Sequence, residues 1–119
     1  MKANSNVLRI FYSILILLFF AFLLQKQAKN KGKKYFEIFN SAHIDNRIEE
    51  VDIAYKGVRI RLDDDRCFIF YPYTDKFLNN GNIFVYTAKK GDRIIKEAYG
   101  DTIYLEKNTE RLAYKFQKF

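Results

Sequence analysis

Apolar positions along this chain fall into two regimes. From Ile10 to Leu24 the run IFYSILILLFFAFLL carries no charge, and Val7, Leu8 and Arg9 extend the span to eighteen residues. Only Ser13 and the Tyr12 hydroxyl interrupt it, so a helix built from it has no polar face. Eighteen residues of helix are about 27 Å long, close to a hydrocarbon core of about 30 Å. The pattern predicts a transmembrane helix and not a buried core helix. After Leu24 the chain continues as Gln25-Lys26-Gln27-Ala28-Lys29, with neither a small-x-small cleavage site nor a lipoprotein cysteine, so the helix is expected to remain as an anchor.

The second regime is short and alternating. QKQAKNKGKK, broken by Gly32, reads as a basic juxtamembrane linker. Tyr35, Phe36, Ile38 and Phe39 then cluster before Asn40-Ser41, as one or two helical turns packing on a domain or as a first extended segment. From Arg47 the period is two. Ile48, Val51 and Ile53 make a strand ended by a Lys56-Gly57 turn, and Val58, Ile60 and Leu62 alternate with Arg59 and Arg61. Asp63-Asp64-Asp65 turns the chain into RCFIFYPY, which Pro72 ends. CFIFY is apolar on both faces, as in a strand covered on two sides. TDKFLNNGN reads as a loop or one helical turn, IFVYTA as another strand, and Lys90-Gly91-Asp92 as the turn into RIIKEA. TIYLE and RLAYKF, joined by KNTE, form a hairpin with a four-residue loop.

The fold class expected is mainly β: an N-terminal transmembrane helix followed by a small β-sandwich or partly open barrel. The domains are 1–25, anchor; 26–34, basic linker; and 35–119, β-rich domain.

Charge changes the reading of the partner. Residues 1–34 hold seven basic side chains and no acidic one, which leaves 14 basic and 14 acidic residues for 35–119. The whole excess of +7 therefore belongs to the anchor and its flanks, where lysines meet lipid headgroups. Residues 7–24 and the flanking lysines are the expected contact with membrane lipid. A nucleic-acid partner is not expected from a neutral domain, although aromatics near Arg59, Arg61 and Arg66 match the composition of single-strand-binding barrels. The two topology signals conflict. Two basic residues before the span and five after it favour a cytoplasmic domain. A short basic start followed by an apolar run has the layout of an export signal, and gives the expected placement, periplasmic or otherwise extracytoplasmic.

Candidate chemistry is sparse. His43 and Cys67 are single residues of their kind, which removes an internal disulfide and histidine-cysteine metal clusters, and nothing around Ser41 resembles a nucleophile elbow. Cys67 is expected to be a buried thiol, and His43 a surface or partly buried residue. A calcium loop begun at Asp63 would place Cys67 and Phe68 at its fifth and sixth positions, where a ligand and glycine are needed, so the aspartates are read as a turn. No catalytic residue, metal site or cofactor is expected. The residues singled out for partner binding are Tyr71, Tyr73 and Phe77, which flank Pro72 and follow it.

The order RIEEVDIAYKGVRIRLDDDRCFIFYP to AKKGDRIIKEAYGDTIYL resembles the barrel-sandwich hybrid arrangement of biotinyl and lipoyl carriers, membrane-fusion adaptors and LytM-type peptidases. The resemblance implies that GDRIIK pairs against an earlier strand. It lacks the zinc-binding histidines of the peptidases, and Lys96 follows Ile94-Ile95 within a strand and not at a hairpin tip. Lys96 is expected to be exposed or at the rim, without perturbing neighbours. The whole chain also resembles small bacterial single-pass proteins with a C-terminal β domain. The function expected is a non-enzymatic, membrane-anchored envelope protein that presents an interaction domain to another protein. The alternative is a degenerate cell-wall-hydrolase-like domain that binds glycan or peptide without cleaving it.

Overall fold

The computed structural model describes residues 2–119, and all side chains among them except those of residues 2–5 and 26–29. The chain divides into two compact units, residues 1–32 and 33–119. Helix α1 (Lys2–Ser41) contributes to both, and it runs without a break through 26–34, the stretch expected as an irregular linker.

In the first unit the helix exposes its apolar side chains all round, with Val7, Phe11, Leu15 and Leu18 each 45% exposed or more. Among the described residues this is one helix long and apolar enough to cross a membrane.

The second unit begins with the last turns of α1 and continues as β1 (Ile44–Ala54), β2 (Gly57–Leu62), β3 (Cys67–Phe70), α2 (Phe84–Thr87), β4 (Arg93–Lys96), β5 (Ile103–Lys107) and β6 (Glu110–Tyr114). The strands form one open antiparallel sheet in the order β3-β2-β1-β4-β5-β6, in place of the two facing sheets of a sandwich. β1 is shared: Ile44 to Arg47 pair with β4, and the part from Ile48 to Ala54 pairs with β2. The register shifts between Ile48 and Glu50, and such a bulge bends the strand where it passes between partners. GDRIIK is thus seated against β1 through β4, and against β5 on its other side.

Beyond the two edge strands the chain is tied once more. Pro72 bridges Phe116, Tyr73 N donates to Lys115 O at 2.8 Å, and Gln117 N donates to Tyr71 O at 2.8 Å. Proline lacks an N–H, and it is tolerated here because the bridge lies outside the regular ladders.

Alternation explains the core. Val58, Ile60 and Leu62 point inward from β2, Phe68 and Phe70 from β3, Ile103 and Leu105 from β5. The last turns of α1 close over them. Phe39 is fully buried, stacks on Phe70 with ring centroids 4.4 Å apart, and meets Phe68 and Phe116 edge-on. Such aromatic contacts contribute about 0.5–1.5 kcal/mol each beyond their buried area.

Several local expectations are corrected. IFVYTA is not a strand: Phe84–Thr87 is one helical turn in which Ile83 O accepts the N–H groups of Tyr86 and Thr87. The turn drives Phe84 into the core against Phe70 and Tyr114. CFIFY is covered on one face only, with Cys67 exposed beside buried Phe68 and Phe70. The last hairpin turns through two residues, Asn108 and Thr109, because Lys107 still pairs with Glu110. The first hairpin turns on Tyr55 and Lys56, both left-handed, before Gly57 opens β2.

Candidate functional site

An apolar groove surrounds the segment after β3. Tyr71, Pro72 and Tyr73 form one wall of a groove of about 380 Å³, Ile53 and Val58 its sheet side, and Ile83, Phe84 and Tyr86 the wall from α2. Four of these are large apolar side chains left in solvent: Ile53 is 59% exposed, Tyr73 52%, Ile83 49% and Tyr86 67%. Soluble surfaces rarely gather such residues without a use for them.

The sequence builds this groove through one small residue. A Cβ on Gly57 would lie 2.8 Å from both Phe70 O and the Tyr71 ring, so only glycine lets Tyr71 lie against the start of β2. Tyr71 is then fixed at both ends. Its hydroxyl donates to Tyr55 O at 3.1 Å, and its ring meets Phe119 edge-on. Burial pushes its pKa up, so the hydroxyl keeps its proton at neutral pH.

Of the three residues singled out from sequence, Tyr71 and Tyr73 come together in the groove, and Phe77 does not line it. Phe77 stands alone at a loop tip and is 93% exposed. The loop beneath it is held by Asp75 and by Asn79, which is fully buried. Asn79 Nδ2 donates to Tyr73 O and Ala113 O, while its Oδ1 accepts from Asp75 N. Sequence reasoning missed Ile53, Ile83 and Tyr86, whose proximity depends on the strand order. It also missed Asn79.

Lys96 departs furthest from expectation. It has no exposed surface, and its Nζ donates to Asn40 O at 2.8 Å, Ala42 O at 3.0 Å and Glu97 O at 2.9 Å. The rings of Phe39 and Phe116 lie 5.2 and 5.9 Å from it. Asn40 belongs to the last turn of α1, where carbonyls lack intrahelical partners and the helix dipole is negative, so an ammonium is well placed. Burial pulls its pKa down to about 8. Parity within β4 carried the signal: Lys96 shares the inward face with Ile94.

The opposite face of the sheet is charged and internally paired. Arg59 is bidentate to Asp52, Arg61 reaches Glu50 and Asp65, and Arg66 joins Asp64. Arg93 bridges Asp45 and Glu106, and Asp45 is held below the usual carboxylate range first by its hydrogen bond from Arg93. The arginines expected near the aromatics are thus occupied by carboxylates on adjacent strands and turns.

Among the described residues, the titratable side chains singled out from the sequence lie apart, and His43 and the aspartates each have a local partner. His43 Nδ1 is 3.6 Å from Glu97 Oε2, with both side chains largely in solvent. Ser41 Oγ donates to Ile38 O. Cys67, expected to be buried, is exposed because β3 points its odd positions outward. Asp63 accepts from Asn46, Asp64 from the Arg66 N–H, Asp92 pairs with Lys107, and Asp101 with Lys115. Among the described residues, no three of His, Cys, Asp and Glu gather so as to hold a metal ion. No protein-family model matches the chain, and neither a curated protein nor a solved structure gives a significant match to it.

Proposed function

We propose that this chain is a single-pass membrane protein of the bacterial envelope whose domain is a non-enzymatic docking module. The domain faces the extracytoplasmic side, and its groove along Tyr71 and Tyr73 receives an extended, apolar segment of another envelope protein. The observation that carries the reading is the groove: Ile53, Tyr73, Ile83 and Tyr86 remain in solvent around a fixed Tyr71. Aromatic side chains of this kind dominate binding energy at protein interfaces. The bridge between Pro72 and Phe116 supports a partly open barrel as the frame, since it draws the ends of the sheet together beside the groove.

A photo-reactive residue in place of Tyr73, introduced into the full chain in its native membranes, tests this. One adduct of defined mass is expected, absent when the same residue replaces Arg59 on the salt-bridged face and lost with Ile83→Asp. An adduct pattern indistinguishable from that at position 59 refutes the docking module. A reporter fused to the C-terminus and active on one side of the membrane only reads the orientation.

A further inference from the structure

The loop from Asp75 to Asn82 is built to hold one apolar side chain away from the domain. Phe77 is 93% exposed and Leu78 39%, with Lys76 next to them. An unsupported loop would fold such residues back. Here Asp75 Oδ1 accepts the N–H groups of Phe77 (2.7 Å) and Leu78 (3.0 Å), and Asp75 O accepts those of Asn79 (3.1 Å) and Gly81 (3.2 Å). Asn79 O accepts Asn82 N at 3.0 Å, and Asn79 Oδ1 accepts Asp75 N at 2.9 Å. Left-handed Asn80 and Gly81 turn the chain back. Six N–H groups of this short loop therefore have partners inside it.

That arrangement selects among occupants. A segment docking by strand addition needs free backbone donors and acceptors, and this loop has spent most of its donors on itself. A hydrocarbon phase makes the opposite demand: it accepts an apolar side chain and penalises every unpaired N–H carried in with it. At the two residues that would enter, the loop satisfies that demand, because the Phe77 and Leu78 N–H groups both bond to Asp75 Oδ1, and Lys76 supplies a cation where lipid phosphates lie. Proximity is provided by the chain. Lys33, the first residue of the second unit, follows Leu24 by nine positions, which cannot extend beyond about 30 Å. Those nine positions lie within α1 and rise about 14 Å along it, so the domain begins close to the bilayer that the span would occupy.

We infer that Phe77 is a lipid-insertion tip: with Leu78 it enters the acyl region of the bilayer in which the chain is anchored, while Lys76 remains at the phosphates. The inference rests on the anchored reading of residues 7–24 and is independent of the groove and its partner.

The protein contains no tryptophan, so Phe77→Trp creates a single tryptophan at the tip, excited selectively beyond the absorption of the tyrosines. The full-length variant is reconstituted into phosphatidylcholine vesicles in which about a quarter of the lipid is anionic phosphatidylglycerol, a composition that gives Lys76 a negatively charged surface. Blue-shifted emission that brominated acyl chains quench and aqueous acrylamide does not is the expected result. Tyr104→Trp, on the charged face of the sheet, is expected to give no quenching by brominated lipid. Phe77→Trp emission that acrylamide quenches freely, in a chain that floats with the vesicles, overturns the insertion while leaving the anchor intact. A chain that does not float overturns both. Shielding seen in native membranes but absent from pure lipid vesicles assigns the tip to a protein pocket and likewise overturns the proposal.

Discussion

Lys96→Met isolates the buried ammonium. The residue has no exposed surface, its three acceptors are backbone carbonyls, and burial lowers its pKa from 10.5 to about 8. Between those values the unfolded chain binds more protons than the folded one, so this group makes stability rise with pH. Its cost is present in full below pH 8 and is relieved as pH climbs towards 10.5. One pH unit of difference in proton affinity corresponds to about 1.36 kcal/mol. The native protein should therefore gain roughly 1.5 kcal/mol from this one group between pH 8 and about pH 9.5. Tyr71 and Tyr114, whose pKa values burial raises, act in the opposite direction above pH 10, and both are present in the variant as well. The difference between native protein and variant is therefore the diagnostic quantity. At neutral pH the methionine removes the ammonium's hydrogen bonds together with the cost of burying its charge, terms of comparable size, so the slope decides and the offset does not. Urea titrations of the full chain in detergent micelles, followed by near-ultraviolet circular dichroism of the tyrosines, measure both curves. Parallel curves from pH 8 to about pH 9.5 refute the buried ammonium and restore the solvent-exposed lysine that the sequence suggested.

Two further substitutions test the groove and the tip loop. Gly57→Ala forces a Cβ against Phe70 O and the Tyr71 ring, both at 2.8 Å, and should cost about 1–3 kcal/mol in the same urea assay while freeing the Tyr71 ring. Asn79→Ala strands Tyr73 O, Ala113 O and Asp75 N, with a loss of about 2–4 kcal/mol, and amide exchange should accelerate at Phe77 and Leu78 before the core strands respond.

Patterns that repeat along the chain were legible. The uncharged run to Leu24 was sufficient for the first part of α1, because it is apolar all round, though not for its continuation through 26–34 to Ser41, and alternation through Val58, Ile60 and Leu62 was sufficient for β2, because one face of the pleat is apolar. The turn at Phe84–Thr87 was not, since four residues are too few to express a 3.6-residue period and FVYT has the composition of a strand. Cys67 and Ile69 made β3 look apolar on both faces, although thiol and isoleucine both stand outward on a half-covered sheet. Tyr71 and Tyr73 could be named because two aromatics flank a proline. The rest of their groove comes from residues between 53 and 86 and from Gln117, and is assembled only where β1, β2, α2 and the C-terminal segment meet. Phe77 was grouped with them by closeness in sequence, and the cap supplied by Asp75 separates it in space.

The position of β1 has a mechanical consequence. Only Ala42 and His43 separate the end of α1 from Ile44, the first residue of the one strand that pairs with both halves of the sheet. Lys96 and the Tyr99 N–H fasten the same helix end through Asn40 O. Tension arriving along α1 is therefore delivered to an interior strand and to these fastenings, and not to an edge that could be peeled away bond by bond. Displacing β1 would break both of its ladders, the one to β4 along Ile44 to Arg47 and the one to β2 from Ile48 to Ala54.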